Sequence, residues 1–278
     1  MTEAERRADL RRILVVLDGD DSARAALDAA ARLAAARNAE LVGLFVEDTE
    51  LLEAAALPFT WSIHSHAGGQ APLDAAMMQR ALRIYALRAS AAVAAAAERL
   101  HVTWSFRVIR GTIAEQVLAA AQGCDLLALG SAGSLMRRAR AEVARGLMAM
   151  SAPCSLLLMY AGARADQPVT VLYDGPERAL ELGRQLAEAY GRRLLVVAVG
   201  ESEAAAAERQ AQAAAWLERR GVRAEPRALA VREGPEVCEV LRHEYPGVLV
   251  LDRRGGLAGR IPLEVLVRRM ACSVFVLR

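Results

Sequence analysis

Three short motifs occur twice along the chain in the same order, which limits the folds it can adopt. They are an apolar run ending in Asp-Gly, a helix that starts at Gly, and a Cys-Ser pair that opens the last apolar run. Their positions are Asp18-Gly19 and Asp174-Gly175, Gly111 and Gly234, and Cys154 and Cys272. This internal repeat predicts two copies of one fold unit.

Each copy alternates short apolar runs with helical segments. Arg12–Leu17 and Leu41–Val46 have strand length and flank an Ala/Leu-rich helical segment at 23–36. The runs at 126–129 and 156–159 are too short for helices and suit strands that are buried on both faces. Strand, helix and strand in about 35 residues is a βαβ unit with parallel strands. The sequence therefore predicts an α/β protein.

The offset between matching motifs locates the differences between the halves. It is 156 at the Asp-Gly pairs but 123 at the helix starts, so the first half carries 33 extra residues between them. An irregular segment, 47–72, holds most of these, and 162–168 is a linker. We therefore predict domains at 1–161 and 168–278. Because this segment contains Leu57, Phe59, Trp61 and Ile63, we expect residues 57–63 to be ordered and to pack as a lid over the crevice beside Asp18 and Gly130.

Composition excludes several classes of function. The net charge of +2 does not indicate nucleic-acid binding, and no apolar run reaches the roughly 18 residues of a membrane span. The charged amino-terminal stretch is not a signal peptide. The four cysteines lack zinc spacing and are expected to be buried and reduced. These observations predict a cytoplasmic protein without a membrane or nucleic-acid partner.

A glycine loop follows the strand at 126–129. Gly130 and Gly133 stand between a strand and a helix, where open α/β sheets hold phosphates, although a plain tight turn has the same pattern. The arginines at 137, 138, 140 and 145 are either phosphate partners or a solvated helix face, and we favour the solvated face. Thr112 and Glu115 have the spacing of a capping box at the preceding helix.

Together these motifs resemble the universal stress protein family in tandem. The resemblance rests on four motifs: strand-Asp-Gly, the helix that starts at Gly111, the loop Gly130-Ser-Ala-Gly133, and Ala152-Pro-Cys154 before the last strand. The resemblance implies two five-stranded parallel sheets of the Rossmann-like, adenine-nucleotide α-hydrolase type, paired as a pseudo-dimer. It also implies nucleotide contacts: Asp18 with the ribose, Val46 with the adenine, and Gly130 and Gly133 with the phosphates, with Ser134 in the same loop.

The chain departs from the family's nucleotide motif at two places. The Gly-Ser expected after nine intervening residues beyond Gly133 is replaced by Val143 and Ala144, or by Glu142 and Val143 when the count runs back from Cys154. In the second half, Asp252 replaces Gly130. We therefore expect a non-catalytic, stress-linked regulatory protein with a degenerate nucleotide site. No cofactor is expected, apart from weak ATP or AMP binding in the first half. The partner would be a small molecule or protein, and a further homodimer remains open.

Two alternatives involve other chemistry. The stretch Asp18-Gly-Asp20 resembles the strand-Asp-x-Asp start of haloacid-dehalogenase phosphatases, where one Asp is the nucleophile and the next a general acid. The repeat has Pro176 in place of the second Asp, and no downstream Lys or acidic pair is evident. His64 and His66 could begin a metal site, but no third ligand has a suitable spacing. We therefore predict neither an enzyme nor a metal.

Overall fold

The structure is a computed structural model. It describes residues 10–18, 23–57, 61–63, 70–72, 74–130, 142–143, 146, 154–160, 167–224, 226–231, 234–243, 246–256, 260–262, 265 and 272–278. The first half comprises β1 (Arg12–Leu17), α1 (Arg24–Arg37), β2 (Glu40–Asp48), α2 (Thr49–Ala56), β3 (Trp61–Ile63), β4 (Gln70–Pro72), α3 (Ala75–Arg99), β5 (Trp104–Gly111), α4 (Ile113–Ala121), β6 (Leu126–Leu129) and β7 (Ser155–Leu158). The second half comprises β8 (Val169–Tyr173), α5 (Glu177–Tyr190), β9 (Leu194–Gly200), α6 (Glu203–Arg219), β10 (Pro226–Ala230), α7 (Gly234–His243), β11 (Val248–Asp252) and β12 (Ser273–Leu277).

A ten-stranded sheet joins the two halves. Its order is β10-β9-β8-β11-β12-β7-β6-β1-β2-β5. Within this sheet the strands of each half pair in parallel, whereas β7 and β12 pair antiparallel, with Leu157 opposite Phe275. The expected α/β class and the pseudo-dimer through the last strands are thus confirmed. The domain limits 1–161 and 168–278 stay a prediction.

Helices cover both faces of this sheet. In β1, Ile13 and Val15 pack on one side, and Leu14 and Val16 on the other. The first side is covered by α1, α3, α5 and α6, and the second by α4 and α7. Burial on both faces explains why the strands read as unbroken apolar runs. All four cysteines are buried and none is in a disulfide, as expected.

The inserted segment is more regular than the sequence indicated. Asp48 caps α2, its Oδ1 accepting a hydrogen bond of 3.0 Å from the amide of Glu50. Leu51 and Leu52 pack on the core, and β3 pairs with β4 in a separate two-stranded sheet. Leu57 is 62% exposed, so the expected lid does not pack at this end. The inward face of α2 carries its leucines and the buried Ala55, so Leu57, just beyond the helix end, is left in solvent. Residues 58–60 lie outside the described part of the chain.

The start of α4 differs from the expected capping box. Thr112 is the N-cap, but its side chain makes no capping hydrogen bond. The turn is closed through the backbone, where the carbonyl of Thr112 accepts from the amide of Gln116 at 3.1 Å. The side chain of Gln116 folds back over Gly111, which has a φ of +153°. The predicted helix at about 72–100 is present as α3.

Candidate functional site

Three predicted contact residues meet at the carboxyl edge of the first half-sheet. Leu17 at the end of β1 pairs with Phe45 of β2, and Val16 of β1 pairs with Leu129 of β6. The register therefore places Asp18, Val46 and Gly130 on neighbouring strands at one edge. The strand order reverses between β1 and β6, and such a reversal opens the ligand crevice in this class of sheet.

The exposure of these residues suits a crevice with one polar wall. Val46 is 7% exposed and Gly130 is buried, whereas Asp18 is half-buried. In this arrangement the apolar side chain of Val46 can face a base, and the carboxylate of Asp18 can face a sugar. Gly133 and Ser134 lie outside the described residues, as do the arginines at 137, 138, 140 and 145. The phosphate part of the predicted site therefore stays a prediction.

Val143 occupies the core beside α4. It is 1% exposed and packs in the same cluster as Val117 and Ala121, whereas Glu142 is exposed. The family resemblance implies a glycine near this point, and its backbone amide would face a phosphate. Val143 keeps its backbone amide, but its buried β-branched side chain hinders the close approach to a ligand that a glycine allows. The geometry of this short stretch therefore agrees with a reduced phosphate site.

Two buried carboxylates stand at the equivalent edge of the second half. Leu172 of β8 pairs with Leu251 of β11, so Asp174 and Asp252 follow at the positions of Asp18 and Gly130. Asp174 is 5% exposed and Asp252 is fully buried. Negative charge therefore replaces the glycine of the first half. An anionic phosphate placed here would be repelled rather than held.

A tight turn after β11 packs against Asp174. The amide of Arg254 donates to Asp252 Oδ1 at 2.9 Å, and the amide of Gly255 donates to the carbonyl of Asp252 at 3.1 Å. A Cβ added to Gly255 would lie 1.8 Å from Asp174 Oδ1 and 2.2 Å from its Cγ. The backbone of the turn thus occupies the space beside the carboxylate that a ligand would need.

Arg178, in the first turn of α5, partly balances the charge of Asp252. Its Nε lies 3.5 Å from Asp252 Oδ2, an ion pair without hydrogen-bond geometry. Burial raises the pKa of Asp252, although the hydrogen bond from the Arg254 amide and the nearby guanidinium groups oppose that shift. The carboxylate of Asp252 therefore contacts the guanidinium group of Arg178 and the amide of Arg254. Its described contacts are with groups of the protein itself.

Comparison with known proteins agrees with this architecture. The model of the universal stress protein family matches residues 9–159. The chain belongs to the universal stress protein family. A search of curated protein sequences finds no significant match.

Solved structures with the same fold span nearly the whole chain. A universal stress protein from Archaeoglobus fulgidus superposes with a TM-score of 0.64 at 15% identity, over 96% of both chains. A putative universal stress protein from Pseudomonas aeruginosa gives 0.53 at 19% identity, over 98% of this chain and 94% of that one. The cytoplasmic domain of a prokaryotic cation chloride cotransporter gives 0.53 at 13%, over 96% and 95%. At these identities the likeness concerns the fold.

The structure also bears on the possible metal site and on membrane-spanning helices. His64 and His66 lie outside the described residues, and the described residues contain no group of three potential metal ligands. The described helices include none that is long and apolar enough to cross a bilayer. Sequence reasoning missed Arg178 and the role of Gly255. The available signal was the Gly-Gly pair directly after Asp252-Arg-Arg, which marks a tight turn.

Proposed function

We propose that this universal stress protein is a non-catalytic regulatory binding protein with a degenerate nucleotide site. The observation that carries the proposal is the closed second crevice. There, the Gly255 backbone fills the space beside Asp174, and Asp252 stands in place of a phosphate-facing glycine. The core position of Val143 adds support in the first half. Its activity would lie in binding a small molecule or protein during a stress response.

A second candidate is weak ATP or AMP binding by the first half alone. It is favoured by the register that brings Asp18, Val46 and Gly130 to one edge. Loss of the serine hydroxyl removes one charge-assisted hydrogen bond of roughly 1.5–3 kcal/mol, and a side chain in place of the glycine hinders the close approach of the backbone amide to a phosphate, which removes a second. Losing two such bonds weakens a phosphate site by about 100-fold or more. Any nucleotide bound here would therefore bind loosely.

Titration calorimetry with ATP and AMP tests both candidates. We expect no site of micromolar affinity in the intact chain. If weak binding is seen, Asp18→Ala should reduce it, whereas Asp174→Ala should not, because the second crevice is closed. Micromolar ATP binding would contradict the degenerate-site proposal.

An activity assay tests the phosphatase alternative. Metal-dependent hydrolysis of a phosphate ester that is lost in Asp18→Asn would favour that alternative.

A further inference from the structure

A cavity of about 310 Å³ lies at the seam between the two halves. Because β7 and β12 pair antiparallel, the amino end of β7 meets the carboxyl end of β12. The first half contributes Arg37 from the end of α1 and Ser155 from β7, and the second contributes Gln185 from α5 and Leu277 from β12. Neither Asp174 nor Gly255 lines it. The cavity is therefore distinct from the nucleotide crevice of the family.

Among the described residues, the walls of this seam cavity carry more basic than acidic side chains. The basic lining residues are Arg37, Arg178, Arg254 and Arg278, and the acidic ones are Asp125 and Glu181. The excess of positive charge favours an anionic occupant.

Both lining carboxylates are already engaged by other groups of the protein. Asp125 Oδ2 accepts from the backbone amides of Arg11 and Arg12, each at 2.9 Å. Glu181 accepts from Arg184 and Gln185, each at 2.7 Å, and from Arg220 at 2.6 Å. Arg184 and Arg220 do not line the cavity. They offset the charge of Glu181 from outside the cavity, so the described lining keeps an excess of basic over acidic residues.

Arg37 and Arg178 each donate a hydrogen bond to another residue of the lining. Arg37 donates to the neutral amide oxygen of Gln185. Arg178 lies 3.5 Å from Asp252 Oδ2 and donates to the carbonyl of Arg278 at 2.6 Å. Burial lowers the pKa of Arg178; Asp252 opposes this shift and the neighbouring Arg254 adds to it. The guanidinium-bearing residues Arg178 and Arg254 both line the cavity, and Arg178 forms its ion pair with the buried carboxylate of Asp252.

The rest of the lining is apolar. Leu182 and Phe275 are buried, and Leu10 and Leu277 are partly buried against the same core. The volume is at the lower end of the roughly 300–1,000 Å³ typical of small-molecule pockets. A compact apolar body therefore fits beside the charged wall.

We propose that the seam cavity binds a small organic anion, with a phosphate or carboxylate group and a compact apolar body. Guanidinium groups match both headgroups by paired, charge-assisted hydrogen bonds. The headgroup lies toward Arg178 and Arg254, and the apolar body lies against Leu182 and Phe275. Residues of both halves form the cavity, so the ligand binds the paired arrangement and stabilises it.

Calorimetry on the intact chain tests this site with phenyl phosphate and benzoate as anionic probes and benzyl alcohol as the neutral one. We expect at least one anion to bind at millimolar concentration or below, and benzyl alcohol to bind at least about tenfold more weakly. Arg254→Gln should weaken anion binding by about tenfold to a hundredfold, the effect of losing one charged hydrogen bond. Arg37→Gln should act in the same direction from the other half.

Arg253→Gln is the matched control, because this neighbouring arginine does not line the cavity. Circular dichroism and thermal unfolding confirm that each variant is folded. Binding of only one anion supports the proposal and identifies the headgroup. Equal anion affinity in Arg254→Gln and Arg253→Gln overturns it. So do equal binding of benzyl alcohol and the anions, and the absence of anion binding at millimolar concentration.

Discussion

At the scale of single residues, Gly255 decides whether the second crevice stays closed. Its neighbour Gly256 has open space around an added Cβ, whereas a Cβ at Gly255 meets Asp174 at 1.8 Å. Asp174 is too buried to swing freely into solvent. Gly255→Ala should therefore lower the free energy of unfolding by about 1–3 kcal/mol, the usual cost of overpacking. Gly256→Ala should change it by less than about 0.5 kcal/mol. Urea denaturation compares them, and equal losses would mean that the turn does not pack on Asp174.

The same residues show how far sequence reasoning reaches. The repeat places Asp174 and Asp252 opposite Asp18 and Gly130, and the strand register agrees with that alignment. It does not reveal that the turn folds onto Asp174, because this contact depends on backbone angles at Arg253 to Gly255. The ion pair of Arg178 with Asp252 was likewise hidden, since it joins a helix start and a strand end far apart in the sequence.

At the scale of elements, Gly183 sets how closely α5 approaches β8. A Cβ at Gly183 would lie 2.1 Å from Val171 Cγ2 and 3.3 Å from Leu194 Cδ1. Alanine is the better helix former by about 1 kcal/mol, but overpacking costs about 1–3 kcal/mol. We therefore expect Gly183→Ala to destabilise the protein. Val171→Ala should cost less in the Gly183→Ala background than in the wild type, because it relieves the clash.

Thermal or urea unfolding of the four chains in this cycle measures the coupling. Gly123→Ala serves as the control, since its Cβ would lie 3.8 Å from the nearest atom, an ordinary contact. Additive effects of the Gly183 and Val171 changes would contradict a direct helix–strand contact.

Elements were predictable where burial on two faces leaves an unbroken apolar run. The strands from 12, 41, 126 and 169 were identified in this way, and the long helix predicted at about 72–100 is present as α3. The insert was not, because α2 and the β3–β4 pair have no counterpart in the second half. At Thr112 the spacing indicated a side-chain cap. In the structure the Thr112 side chain makes no capping hydrogen bond, and the side chain of Gln116 packs over Gly111. Sequence spacing defines which bonds can form, and the packed neighbours decide which of them do.

At the scale of the whole molecule, one sheet runs through both halves. The antiparallel pairing of β7 with β12 covers the two edges that would otherwise be open to aggregation. The same pairing creates the seam cavity, which neither half contains alone. The pairing of the halves and the proposed anion site are therefore linked: a ligand held at the seam would resist separation of the two half-sheets.

This continuity predicts a single cooperative unfolding transition that is sensitive to the seam. Phe275 is fully buried opposite Leu157, so Phe275→Ala should cost roughly 3–5 kcal/mol. Because the seam joins both half-sheets, amide exchange should accelerate in β1 and β8 together. Phe106→Ala is the matched control, since Phe106 is only partly buried on the edge strand β5 and should cost less. Two separate calorimetric transitions in the wild type, or faster exchange in β8 with β1 unchanged, would show that the halves unfold independently.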